Sequence, residues 1–262
     1  MTLLCVVDLS ISFGGVRALD RVSFDVASGT VFSIIGPNGA GKTTLFNIIS
    51  GLYAPQAGHV RLAGEDVTGR YPEELARCGL SRTFQNLQLF RRLTALENVM
   101  VGHHRHERSG LFADLFHLPA CTHQNKRTRG AALDALDRVG LAALAERPAA
   151  SLPYGVLKRL EIARALATRP NLLLLDEPAA GCNAAESGEL KGIIRGLARD
   201  GITVLLVEHD MRLVMEISDR IHVLAEGRTL AEGTAAEVRN NPAVIAAYLG
   251  ACAEPKCTDA VH

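Results

Sequence analysis

The stretch Gly36-Pro37-Asn38-Gly39-Ala40-Gly41-Lys42-Thr43-Thr44 has the pattern GxxxxGK[ST] and follows a short apolar run, Val31-Phe32-Ser33-Ile34-Ile35. A helix is expected next, over 41–50, closed by Gly51. A strand, a glycine loop and a helix in this order are what phosphate binding requires. The glycines let successive backbone N–H groups converge on phosphate oxygens, and the helix N-terminus adds its positive end. Lys42 is then placed for the β- and γ-phosphates, and the Thr43 hydroxyl for a Mg²⁺ ion.

Further along, Leu172-Leu173-Leu174-Leu175 leads into Asp176-Glu177-Pro178, which sets two carboxylates at the C-terminal end of a buried strand, where α/β sheets bind ligands. Asp176 suits Mg²⁺, held through water, and Glu177 suits a general base or a group orienting the attacking water. A second apolar run, Thr203-Val204-Leu205-Leu206-Val207, is separated from the first by helical periodicity at 185–199, so the two form a βαβ unit of a parallel sheet. Glu208 and His209 follow it; a lone histidine after a strand is usually structural, and a role for His209 toward the γ-phosphate and the water rests on the resemblance given below.

The rest of the chain reads as strands over 3–35, with turns at Gly14-Gly15 and Ser28-Gly29, and one more strand at 59–62 before a turn at 64–66. Residues 72–168 read as mostly helical, with an irregular basic stretch at 103–130. A hairpin is expected at 221–224 and 228–230, and a closing helix at 235–249. Lys42 and Asp176 are 134 residues apart, beyond one βαβ step of roughly 30 residues, so a helical insertion lies between them.

The totals narrow the class. In 262 residues, 28 Lys+Arg balance 28 Asp+Glu, which argues against a nucleic-acid partner. Forty-eight per cent of residues are hydrophobic and the mean hydropathy is +0.14, yet the apolar runs at 172–175 and 204–207 are four residues long, against the ~20 of a membrane span. The first residues show no basic or cleavable leader. The six cysteines (5, 78, 121, 182, 252, 257) are scattered, as reduced thiols of an intracellular chain would be. His103, His104 and His106 lie among arginines and read as a solvated loop; Cys252, Cys257 and His262 belong to a polar tail expected to lack fixed structure.

With these motifs in place the chain resembles the ATP-binding subunit of an ABC transporter, and specifically the larger ATPase of branched-chain amino-acid importers. The resemblance covers nearly the whole chain. It implies an α/β P-loop NTPase with a RecA-like parallel-sheet core, an N-terminal antiparallel β subdomain and an inserted α-helical subdomain at about 86–166, in a single domain over 1–250 with a tail at 251–262. It makes ATP the ligand, with Mg²⁺. Phe13 occupies the adenine-stacking position, and Gln85 the Q-loop that senses Mg²⁺ and water beside a groove for the membrane subunits, near Phe90, Leu93 and Glu97. Leu152-Pro153-Tyr154-Gly155-Val156 stands at the signature, Gly181-Cys182-Asn183 at the D-loop, and His209 at the switch histidine. The branched-chain subgroup rests on residues 86–101, 109–114, 208–211 and 241–250.

The signature of the family at large is LSGGQ. Here Pro153 stands for its Ser and Val156 for its Gln. The family's Ser contacts the γ-phosphate held by the opposite subunit, and proline offers neither hydroxyl nor N–H. Gly155 N–H and a helix start remain, with proline expected in the first turn. The expectation is a weaker ATP site at this signature and a different ATPase as partner in a head-to-tail dimer. Two membrane permeases complete the implied assembly, with a periplasmic binding protein acting indirectly, at the cytoplasmic face of the plasma membrane. Three alternatives stand beside this reading. One is an importer of urea, short amides or other amino acids. Another is a non-catalytic ATP-binding regulatory subunit, which Glu177 and His209 oppose. The third is a soluble ABC ATPase of repair or translation, opposed by the 67 residues from Gln85 to Leu152, which hold no sustained heptads.

Overall fold

In the computed structural model, which describes residues 1–83, 87–103 and 119–251, side-chain alternation along three short strands decides where the core lies. β3 (Val31–Ile35), β7 (Leu172–Asp176) and β8 (Thr203–Val207) are buried at every position. Successive residues face opposite sides. Val31, Leu173, Leu175, Val204 and Leu206 pack into one cluster with the helices α3 (Ala95–His103), α4 (Pro119–Arg138), α5 (Tyr154–Leu166) and α6 (Ala184–Arg199). Phe32, Ile34, Leu172, Leu174, Leu205 and Val207 enter a second cluster on the other side. That cluster is completed by β1 (Thr2–Phe13), β2 (Val16–Ala27), β4 (Ala57–Leu62) and α1 (Lys42–Ile49).

There are two sheets among the described residues. With β5 (Glu65–Asp66), the first is antiparallel, in the order β2-β1-β4-β5. The second runs β10-β9-β3-β8-β7-β6, using β6 (Leu80–Arg82), β9 (Arg220–Ala225) and β10 (Arg228–Gly233). Its pairs from β6 to β9 are parallel, and β9 and β10 form the expected hairpin. The remaining helices are α2 (Pro72–Arg77), α7 (Met211–Ile217), α8 (Ala235–Arg239) and α9 (Pro242–Ala251).

Three expectations need correction. The helical reading of 72–168 missed β6, three residues too short to show periodicity, which becomes a strand by pairing with β7. The basic stretch read as irregular to residue 130 is helical from Pro119; its polar composition hid the period. The closing helix at 235–249 is two helices. α8 stops at Asn240, and α9 starts anew because Pro242 cannot continue a hydrogen-bond ladder and the Asn241 Oδ1 accepts the N–H groups of Ala243 (2.9 Å) and Val244 (3.4 Å). Asn241→Ala is expected to cost about 1 kcal/mol, seen as a melting temperature lower by about 2–4 °C.

The register places the functional ends level with one another. Ile34 pairs with Val207, and Val207 with Asp176, so the carboxyl ends of β3, β8 and β7 open side by side.

Candidate functional site

Two glycines shape the loop after β3. Gly36 has φ 153°, and a Cβ on it would lie 2.1 Å from the Leu224 carbonyl oxygen. Gly41 has φ 100°, caps α1, and leaves no room for a Cβ beside the Ala18 carbonyl oxygen at 2.6 Å. Gly227 N–H donates to the Ala40 carbonyl (3.1 Å) and Ala40 N–H to that of Pro37 (3.2 Å), which fixes the loop over the sheet. No side chain caps the N-terminus of α1 and its first turn holds no acid, so its positive end faces the cleft uncompensated. The Lys42 ammonium folds back into the loop and donates to the carbonyls of Gly36 (2.7 Å) and Pro37 (2.9 Å). Burial holds its pKa below the usual lysine range, against the opposing charge of Glu177.

These groups open on a cleft of about 400 Å³ lined by Val16, Arg17, Ala18, residues 38–44, Glu177 and His209. Glu177 sits just past β7 with φ 48°, a left-handed conformation rare for a residue with a Cβ, held by its N–H to the Val207 carbonyl at 2.9 Å. Its Oε1 lies 2.7 Å from His209 Nε2. The structure therefore brings Lys42, Thr43, Glu177 and His209 from three separate strand ends into one cleft. A polyphosphate entering it meets an ammonium, a helix N-terminus and a carboxylate–imidazole pair. That arrangement can bind the terminal phosphates and position a water for attack on them.

Asp176 is buried behind this pair. Its Oδ2 accepts from Arg82 Nη2 at 2.8 Å, and the other terminal nitrogen of Arg82 donates to Asn47 Oδ1 (2.8 Å) and Ser50 Oγ (2.7 Å). Asp176 is thus oriented by an arginine of β6 that also grips the end of α1. Sequence reading met Arg82 only as the start of the Arg82-Thr83-Phe84-Gln85 stretch of the expected Q-loop and missed its hold on Asp176, because it lies in the strand overlooked and its partner is 94 residues away.

Other expected residues fall elsewhere. Phe13 is 46% exposed at the end of β1, its ring edge-on to Tyr53 with centroids 5.4 Å apart, outside the lining of the phosphate cleft. Tyr53 was not anticipated, nor were Val16, Arg17 and Ala18; all are brought here by the β1–β2 hairpin and the end of α1, with no signal in their own sequence. Gly155 lies in the first turn of α5, where a Cβ would meet Glu186 Oε1 at 2.3 Å. Pro153 is the N-cap of α5 (φ −59°, ψ 158°) and not a first-turn residue as expected: the helix begins one residue later, and no side chain caps it. Asn183 caps α6, accepting from the N–H groups of Ala185 and Glu186. Gln85, the tail cysteines and His262, and His104 and His106 lie outside the described residues, as do the side chains of His103 and Cys121. Cys5, Cys78 and Cys182 are free thiols. Among the described residues no cluster of His, Cys, Asp and Glu suits a metal ion, and no helix is long and apolar enough to cross a membrane.

The parallel sheet and this cleft define a P-loop nucleotide-binding ATPase. Comparison with known proteins makes that specific. The family described as ABC transporter matches residues 19–180, and that described as branched-chain amino acid ATP-binding cassette transporter matches 228–251. The high-affinity branched-chain amino acid transport ATP-binding protein BraF of Pseudomonas aeruginosa is 48% identical over 243 residues, 92% of this chain and 95% of that protein. LivG of Escherichia coli, of the same description, is 45% identical over 249 residues, 95% of this chain and 98% of its own. Among solved structures, the ADP conformation of an ATP-binding cassette of an ABC transporter superposes with TM-score 0.83 at 33% identity, covering 95% of this chain and 99% of that one. A dimeric bacterial ABC transporter cassette gives 0.74 at 27% identity, covering 89% and 99%. The chain belongs to the ABC transporter family of ATP-binding proteins. It binds ATP, and its activity is ATP hydrolysis coupled to transport.

Proposed function

We propose that this chain is the ATPase subunit of an importer of branched-chain amino acids. It acts at the cytoplasmic face of the plasma membrane, in a head-to-tail dimer with a second, different ATPase, beneath two membrane permeases fed by a periplasmic binding protein. The observation that carries this reading is the 45–48% identity, over more than nine-tenths of the chain, to proteins of that description. Residues 1–250 act as one domain, with the helical insertion at about 86–166 as the arm that reaches the membrane subunits.

In this reading ATP sits with its adenine toward Phe13 and its phosphates on residues 36–44. Lys42 leaves its two loop carbonyls for phosphate oxygens. Glu177 takes the proton of the attacking water, and His209, paired with it at 2.7 Å, holds that water and the γ-phosphate in line. The Thr43 hydroxyl and the Asp176 carboxylate are hard oxygen donors of the kind Mg²⁺ takes, with Gln85 as the further ligand the family supplies. The ion, when bound, neutralises developing phosphate charge. Gly155, at the start of α5, faces the ATP of the partner. The exposed Phe90 and Glu97, with half-buried Leu93 between them, support the expected membrane-subunit contact. The loop that carries them is fixed by the buried Asn98 side chain, which accepts from Phe90 N–H (2.8 Å) and donates to the carbonyls of Phe90 and Thr94.

The test is reconstitution of the complex in liposomes with loaded binding proteins. Leucine, isoleucine or valine is expected to stimulate ATP hydrolysis and enter the vesicles, and urea or short amides to do neither. Uptake of urea or an amide instead would move the substrate class and leave the ATPase assignment standing. Pro153→Ser returns a hydroxyl to the signature, and a hydrogen bond to a charged group is worth about 1.5–3 kcal/mol. It is expected to raise turnover of the assembled complex about 10-fold, read as kcat. Unchanged turnover would refute the weakened-site reading.

A further inference from the structure

Glu208 is buried to 4% exposure between the loops that carry Glu177 and His209, and the proposed course of ATP hydrolysis makes no use of it. Its Oε1 accepts the Ala179 N–H at 2.7 Å, just beyond Glu177 and Pro178. Its Oε2 accepts the His209 N–H at 3.0 Å and, more weakly, that of Asp210 at 3.4 Å. One carboxylate thus spans the backbone of the loop that carries Glu177 and the turn that carries His209. Burying a carboxylate is expensive unless it is fully hydrogen-bonded. Here the donors are backbone N–H groups from both sides of the catalytic pair. Burial raises the pKa of Glu208, the three N–H donors oppose this, and the charge of Glu177 adds to it.

Both flanks of this clasp are hydrogen-bonded locally. On one side the segment after Glu177 turns tightly, with Ala180 N–H on the Glu177 carbonyl (3.1 Å) and Cys182 N–H on the Ala179 carbonyl (3.0 Å), up to Asn183 at the start of α6. On the other, Asp210 caps α7 through the N–H groups of Arg212 and Leu213. Ala179 and the backbone of His209 are thereby held at a fixed separation by the two oxygens of Glu208. The link needs both oxygens, one on each loop.

We propose that Glu208 is a positioning residue that locks the backbone of His209 to the loop of Glu177. This rests on the ATPase reading of Glu177 and His209. The tie runs from Ala179, two residues beyond Glu177, to the backbone of His209.

The variants are Glu208→Gln, isosteric but presenting an amide N–H₂ to one set of N–H donors, and Glu208→Asp, charged but one methylene too short to reach both loops. Each is made alone and with His209→Ala in the full chain, and assayed with its partner subunits for kcat and KM, with nucleotide affinity and melting temperature measured in parallel. Loss of one charged hydrogen-bonding arrangement corresponds to a kcat lower by about 10- to 100-fold. KM and nucleotide affinity are expected to stay within about twofold. Because Glu208 acts through His209, neither variant is expected to lower kcat further in the His209→Ala background. The assignment is overturned if the effects of the two sites multiply, if kcat is unchanged, if nucleotide affinity falls in step with kcat, or if neither variant folds, since the residue then serves the fold alone. A wild-type complex without ATPase activity would instead sink the functional reading on which the proposal stands.

Discussion

Glu177→Gln is expected to lower kcat for ATP hydrolysis by about 100- to 10,000-fold, the range a positioned general base supplies, and to leave ATP binding intact. Gln keeps the length and hydrogen-bonding shape of Glu177, so the left-handed backbone at φ 48° and the bond from its N–H to Val207 need not change. What it loses is the ability to take a proton. The pairing with His209 Nε2 also survives in form, because an amide oxygen still accepts there. Bound ATP then persists, and the ATPase dimer is expected to accumulate in its closed form, read by size exclusion with retained nucleotide. Turnover within a fewfold of wild type would remove Glu177 from the base role and revive the regulatory-subunit alternative. His209→Ala should reproduce part of the loss, because the histidine organises what the glutamate activates.

Lys42→Ala is expected to act one step earlier, on binding. The ammonium is buried and satisfied by the Gly36 and Pro37 carbonyls, so ATP must draw it away from neutral acceptors onto charged ones. Charged hydrogen bonds are worth about 1.5–3 kcal/mol each, and a net loss of about 3 kcal/mol is about 100-fold in affinity. Thermal melting offers a direct measurement. Saturating ATP should raise the wild-type melting temperature, and at the same concentration should shift Lys42→Ala little or not at all. An ATP-induced shift of wild-type size would show that the loop N–H groups and the α1 terminus suffice without the lysine. The two variants thus separate binding from chemistry: one loses ligand, the other keeps it and cannot turn it over.

How much of this was legible in the amino-acid order differs from element to element. The phosphate loop was, because its chemistry is local: glycines at 36 and 41, lysine at 42 and a helix start are all that is required, and they are contiguous. The strands at 31–35, 172–176 and 203–207 were equally plain, since a strand buried on both faces is apolar at nearly every position. β6 was not. Three residues show no period, and Leu80–Arg82 becomes a strand only because β7 offers it an edge. The break at Asn241–Pro242 could have been read from the proline, but the apolar spacing on either side carried the reading across it.

The same division runs through the site. Sequence by itself put Lys42, Thr43, Asp176 and Glu177 at strand ends in the pattern of a phosphate site, and the family resemblance added the role expected of His209. Whole-chain resemblance added residues such as Phe13 and Gly155, whose proposed roles depend on a nucleotide or a partner. Only the tertiary structure decided how these groups are held. Arg82 reaches Asp176 across 94 positions of chain, Val16–Ala18 enter the cleft on a hairpin, and Glu208 joins two loops 29 residues apart. None of these contacts has a local signature. Each is set by which strands lie next to one another and at what register, and a register is a property of the paired sheet rather than of any one segment.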